Sequence, residues 1–138
     1  MTDYLHTNLS AQELLETSAL ALAHVGDAVY ELLVRTYLCK SGGRSARTLH
    51  RRTVAMVSAN AQARAAERLA AVLDEEERGV FLRGRNTKVH TVPRGAELAD
   101  YHAATGLECL FGYLHLSGKY ERMNELFNWI VQADQNRG

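Results

Sequence analysis

The stretch from Leu20 to Leu38 constrains this chain more than any other, because as a helix it is apolar around nearly its whole circumference. Its apolar positions are Leu20, Ala21, Leu22, Ala23, Val25, Ala28, Val29, Leu32, Leu33, Val34 and Leu38. Into that run the sequence sets Gly26 and Asp27 side by side. A carboxylate in a buried helix is costly unless it is paired, hydrogen-bonded or bound to a metal. Glycine inside a helix costs a further ~1 kcal/mol against alanine. Two unfavourable choices in succession point to a site. The competing reading is an aspartate that reaches solvent at a helix edge, beside a glycine that allows close helix packing. A helix apolar on more than one face also asks for a second partner, most simply a copy of itself across a two-fold axis. A small bundle that wraps the helix completely is the alternative.

The 138 residues read as one domain, residues 1–138, with enough length for a core. A single proline, Pro93, and the scarcity of alternating β-branched runs predict an all-α fold. Ser10 and Glu13 have capping-box spacing and open a short helix. The apolar helix follows from about Ser18 to Lys40, ended by Ser41-Gly42-Gly43. Further helices are expected over Ala46–Val57, from a Ser58 cap through Ala71, and from the acids Asp74-Glu75-Glu76-Glu77 to Arg83-Gly84. Two more span Glu97–Leu116 and Tyr120–Ala133. No apolar run reaches the roughly 18–20 residues of a membrane span, and the N-terminus lacks a secretory pattern. Cys39 and Cys109 have no metal-ligand spacing and suit a reducing compartment, so a cytoplasmic location is expected.

The formal net charge is zero, but the charge is segregated. Between Arg35 and Arg94 stand thirteen Lys or Arg against five acids, while the flanks hold three basic and eleven acidic residues. Such segregation makes a positive face unless the fold interleaves the segments. Two basic runs stand out. One is Arg44, Arg47, His50, Arg51 and Arg52, with Arg47 and Arg51 on one helix face. The other is the segment Arg83 to Arg94, and residues Arg85 to Gly95 are expected to form a loop. Guanidinium groups, lysines and hydroxyls together suit contact with phosphates.

A second isolated acid, Glu108, lies in another apolar, small-residue stretch, Ala103 to Leu114. Two carboxylates on packed helices suffice to hold a hard divalent cation such as Mg²⁺, with water and phosphate oxygens completing its shell. Two unrelated edge carboxylates are the competing reading. Glu31 and Thr105 are spaced to share a face with Asp27 and Glu108, respectively, and are candidates to support them. A partner for Arg35 and an ordinary core threonine are the alternatives.

The run His24-Val25-Gly26-Asp27-Ala28-Val29-Tyr30-Glu31-Leu32 resembles the signature helix of the ribonuclease III family, and Glu108-Cys109-Leu110-Phe111-Gly112 resembles its second acidic motif. With Val57-Ser58-Ala59-Asn60-Ala61-Gln62-Ala63 and Arg83-Gly84-Arg85-Asn86-Thr87-Lys88, four stretches match in order over about Ser18 to Leu126. They are most similar to the Mini branch of that family, which lacks a double-stranded-RNA-binding domain. The resemblance implies a homodimeric, Mg²⁺-dependent endoribonuclease that cuts double-stranded RNA, leaves 5′-phosphate ends and matures the large-subunit (23S) ribosomal RNA precursor. It makes Asp27 and Glu108 the catalytic metal ligands. Arg85, Asn86 and Lys88 become RNA contacts, beside Arg47 and Arg51 from the charge pattern. A ribosomal protein that shapes the RNA is a further expected partner. Full-length members carry two more acids, where this chain has Ala23 and Thr105, so the metal site is stripped down. The rival reading is a non-catalytic, ribosome-associated RNA-binding dimer. A helical interaction module with no nucleic-acid role comes third.

Overall fold

Serine hydroxyls open four of the helices. Ser10, Ser18, Ser45 and Ser58 each accept a hydrogen bond from a first-turn backbone N–H, satisfying donors that a helix otherwise leaves orphaned. They begin α1 (Ala11–Glu16), α2 (Ala19–Lys40), α3 (Ala46–Val57) and α4 (Ala59–Leu69). Asp74 caps α5 (Glu75–Arg85) in a capping box with Glu77; α6 (Leu98–Leu116) and α7 (Tyr120–Gln135) complete the chain. The computed structural model describes residues 1–88 and 97–135, without the side chain of Asp134. Among the described residues there is no strand, as expected for an all-α fold, and no helix is long and apolar enough to cross a membrane.

α6 is the enclosed helix. It buries Ala104, Thr105, Gly106, Leu107, Cys109, Leu110, Phe111, Gly112 and Leu114, which leaves little of its circumference open. α2 lies across it, with α4, α5 and α7 packed around the remainder and α3 bridging α2 and α4. α2 turns Leu22, Gly26, Tyr30, Val34 and Leu38 inward at spacings of four, one side of a helix. Tyr30 meets Phe111 edge-on at 5.1 Å between ring centres and Phe127 at 5.9 Å, tying α2, α6 and α7 into one core. The opposite side of α2 is not covered: Leu20 is 44% and Leu32 58% exposed. Within one copy of the chain, the bundle does not wrap this helix.

Glycines set how closely the helices approach. A Cβ on Gly26 would fall 1.6 Å from the Glu108 carbonyl oxygen, and one on Gly112 would fall 1.9 Å from that of Leu22. The two backbones are therefore in direct contact at the crossing. Gly84 makes a similar approach to Cys109 and Gly106. This corrects one boundary. Gly84 does not stop α5 but seats it on α6, and the helix runs on to Arg85 with Asn86 as its C-cap. Arg85 is accordingly helical rather than a loop residue, 86–88 follow as a turn, and the rest of the expected loop lies outside the described residues. Smaller corrections fall at helix ends. α4 stops at Leu69 rather than Ala71, and α7 continues to Gln135.

Away from the crossing, Glu77 is only 3% exposed and takes two hydrogen bonds from Arg122, at 2.8 and 2.9 Å. Arg122 also donates to the Val72 carbonyl at 2.7 Å, so one guanidinium locks α7 to α5 and to the turn before it. The acids at the head of α5 do more than complement a helix dipole.

Two glycine substitutions should separate helix propensity from packing. Gly26→Ala is expected to destabilise the fold by about 3 kcal/mol or more, since backbone cannot yield to the new methyl. Gly79→Ala, inside α5 with nothing within 4 Å of its added carbon, is expected to stabilise by up to ~1 kcal/mol. Urea denaturation of the two variants measures both.

Candidate active site

The glycine contact delivers the two isolated acids to one place. Gly26 rests on the backbone of Glu108, and Asp27 is its neighbour in α2. The Asp27 side chain stands close enough to that of Glu108 to act on it by charge and by a hydrogen bond. Asp27 itself is exposed, which corrects the expectation of a buried charge. The residue reaches solvent at the helix edge and belongs to a pair as well, so the two readings of its position describe one arrangement. Glu108 is the more enclosed partner. Burial pushes its carboxyl up to about 8, and the charge of Asp27 and the hydrogen bond between them push in the same direction. The Gln62 amide on α4 lies close enough to oppose this, favouring the charged form.

The other candidates are distributed around this pair. Thr105 is buried, but its hydroxyl donates to the Tyr101 carbonyl at 3.0 Å, within its own helix. Glu31 forms an ion pair with Arg35 at 2.9 Å, one turn further along α2. Arg85 and Asn86 end α5 immediately after Gly84, which touches the α6 turn that carries Glu108. Arg85 Nε donates to Asn86 Oδ1 at 3.3 Å. Arg83, on the other side of Gly84, is close enough to Cys109 to oppose the burial that pushes that thiol up to about 11. Lys88 is exposed in the turn beyond α5, and Arg47 and Arg51 are exposed one turn apart on α3. The segment from Val89 to Ala96, with His90 and Arg94, lies outside the described residues.

Gln62 carries no signal in the sequence that marks it as a neighbour of Glu108. It was visible only as one position in a matching stretch, and nothing in its spacing connects α4 to Glu108. Asn60, in the same turn, donates to Asp100 Oδ2 at 3.4 Å across to the head of α6.

The donor set suits a hard divalent cation. Two carboxyls held within hydrogen-bond distance repel when both are ionised, and a cation between them removes that repulsion. Among the described residues no cluster of three or more His, Cys, Asp or Glu side chains forms, so most of a metal's shell here would come from water and phosphate oxygens.

Fold and site together define an all-helical domain whose central crossing presents a solvent-facing acid pair, with guanidinium groups at its flank. The Ribonuclease III domain model matches residues 20–119. Mini-ribonuclease 3 of Enterococcus faecalis is 44% identical over 119 residues, covering 85% of this chain and 90% of that protein. Its counterpart from Clostridium tetani is 38% identical and covers 98% of this chain and 93% of its own length. Among solved structures, protein FN1578 from Fusobacterium nucleatum superposes with a TM-score of 0.78 at 31% identity, covering 88% of this chain and 98% of that one. The chain belongs to the ribonuclease III family of endoribonucleases.

The acid pair makes stability depend on pH. The folded protein keeps a proton on Glu108 that the unfolded chain releases, between the ordinary carboxyl value of 4.5 and about 8. Stability therefore falls as pH rises through that window. In EDTA, Glu108→Gln is expected to melt above the wild type at pH 8 and level with it below pH 4.5, as read by differential scanning calorimetry.

Proposed function

We propose that this chain is a Mg²⁺-dependent endoribonuclease that cleaves double-stranded RNA as a homodimer, with the large-subunit (23S) ribosomal RNA precursor as its substrate. The observation that carries the reading is the Asp27–Glu108 pair, two carboxyls brought together at an exposed edge by a crossing that costs both helices a side chain. Asp27 and Glu108 would hold the cation, Asp27 from the solvent side and Glu108 from the enclosed side. Bound there, Mg²⁺ would activate water and neutralise charge on the scissile phosphodiester. The protein's own part is to fix the two carboxyl groups and keep them free of a permanent cationic partner that would compete for the site. Arg85, Asn86 and Lys88 extend from the end of α5 beside the α6 turn that carries Glu108, a position suited to phosphate contact. Arg47 and Arg51 would add a more distant backbone contact.

The exposed side of α2 supports the dimer. Its exposed stripe of Ala21, Ala28 and Leu32 runs beside Asp27, and a two-fold partner would cover it with the same stripe. Each protomer would then contribute one acid pair to one strand of a duplex. Leu32→Asp is expected to convert the protein to a monomer, read by analytical ultracentrifugation. A wild type that sediments as a monomer removes this part of the reading.

Labelled duplex RNA tests the activity. The wild type should cleave it with Mg²⁺ and not in EDTA, and Asp27→Asn should be slower by about a hundredfold or more, since even groups that only orient a metal ligand are worth 10–100-fold. Cleavage in EDTA, or equal cleavage by Asp27→Asn, would sink the metal-dependent reading. Salt-sensitive binding of duplex RNA without cleavage would establish instead the non-catalytic binding dimer, the reading that the absence of acids at Ala23 and Thr105 favours.

A further inference from the structure

On the flank of α2 that carries Asp27, a cleft of about 260 Å³ opens between α2 and α3. Arg35, Ala46, Leu49, His50 and Thr53 line it. Asp27, Glu31 and Arg35 follow one another at spacings of four, so the cleft lies on the same flank of α2 as the acid pair. The helix rise between them places Arg35 about 12 Å along the axis from Asp27. On α3, His50 is a helical neighbour of both Arg47 and Arg51, and all three are exposed. The basic face of α3 therefore runs into the cleft.

Thr53 is the buried polar residue of this cleft, 4% exposed. Thr17, Thr87 and Thr105 each donate their hydroxyl to the carbonyl four residues back. The Thr53 hydroxyl has no such bond, nor any other protein partner among the described residues. Valine has the same shape and would avoid that cost. Arg35 is engaged only in part. Its Nη2 pairs with Glu31 Oε2 at 2.9 Å, and a guanidinium has five N–H donors. An exposed pair of this kind adds little to stability, but it holds the guanidinium along the flank with donors to spare. An imidazole offers an N–H in either protonation state. The cleft thus gathers a guanidinium, an imidazole and a hydroxyl beside the apolar Ala46 and Leu49. Such a donor set suits phosphate oxygens, and apolar walls sharpen its field.

We propose that the α2–α3 cleft seats one backbone phosphate of the RNA duplex: Arg35 and His50 donate to its oxygens at the mouth, and the Thr53 hydroxyl donates from the inner wall. The inference rests on the double-stranded RNA reading above and adds to it a contact that needs neither the metal nor the acids. A phosphate held there anchors the duplex about 12 Å from Asp27 and fixes its register without reading sequence.

Duplex RNA binding in EDTA, followed by fluorescence anisotropy over a series of KCl concentrations, tests the seat without requiring cleavage. Arg35→Gln is expected to weaken binding about tenfold and to lower the slope of log K against log salt by about 1, as for one lost phosphate contact. Thr53→Val removes the hydroxyl and keeps the shape. It is expected to weaken binding about fivefold with the slope unchanged, and to melt no lower than wild type. Glu31→Gln breaks the ion pair from its other end and is expected to bind the duplex at least as tightly as wild type. Equal losses in Arg35→Gln and Glu31→Gln would overturn the proposal and leave Arg35 an ion-pair partner. Unchanged duplex binding by Arg35→Gln would overturn it as well, and if inorganic phosphate then binds the wild type but not this variant by phosphorus NMR, the cleft takes free phosphate instead. A wild type with no salt-sensitive affinity for duplex RNA would also overturn it. If Thr53→Val does not fold, Arg35→Gln and Glu31→Gln carry the comparison with the same outcomes. A wild type that binds the duplex but does not cut it with Mg²⁺ defeats the nuclease reading only, since the affinities of the variants still decide the role of the cleft.

Discussion

Where α2 crosses α6, two glycines remove the side chains that ordinarily hold packed helices 8–10 Å apart. Gly26 lies on the carbonyl of Glu108, and Gly112 on that of Leu22. The reciprocity of the contact matters, because each helix gives up a side chain at the point where the other presents backbone. Close approach fixes both the distance and the rotation of the two helices. Tyr30, Phe111 and Phe127 then close the core on one side of the crossing, and the acids emerge on the other. The site is a by-product of packing geometry in the strict sense that Asp27 and Glu108 are the immediate neighbours of the contact.

The same contact stores electrostatic cost at the edge of the helix crossing. Glu108 is enclosed beside a like charge, so its carboxyl rises to about 8. Elsewhere the fold treats its enclosed acid differently. Glu77 is buried too, yet Arg122 holds it below the ordinary carboxyl value through two hydrogen bonds. One acid is given a permanent cation and stabilises the joint between α5 and α7. The other, Glu108, has a second acid and a neutral amide, Gln62, beside it. The two enclosed acids are thus shifted in opposite directions, one by a cation and the other by burial beside a like charge.

Much of the helical framework was legible in the chain. Serine caps, acids at the head of α5 and the Ser117-Gly118 break gave seven helices close to those observed, because capping and termination are local chemistry. The main misplacement came at Gly84, where the residue type is ambiguous. Glycine after a helical run reads as a stop, but here it admits Cys109 and Gly106 of a distant helix, and α5 continues. Asp27 was ambiguous for the same reason. Periodicity shows that a face is apolar but not how far the neighbouring helix extends over it, so an aspartate at the rim looked like one at the centre. Thr105 stood at a position suited to supporting Glu108, yet its hydroxyl is taken by the Tyr101 carbonyl, the usual recourse of a threonine inside a helix.

The sequence by itself determined the helical class, the two isolated acids and the small residues beside them. Each of these is a matter of composition and spacing within one segment. Tertiary structure decided which acids meet, which acid is paired with a cation, and which side chains lie beside them. Gln62 and Glu108 are separated by α5 and the segment after it, and no spacing rule relates them. Their contact exists because α4 and α2 pack on α6 together, and only that packing turns two separate carboxylates into one site.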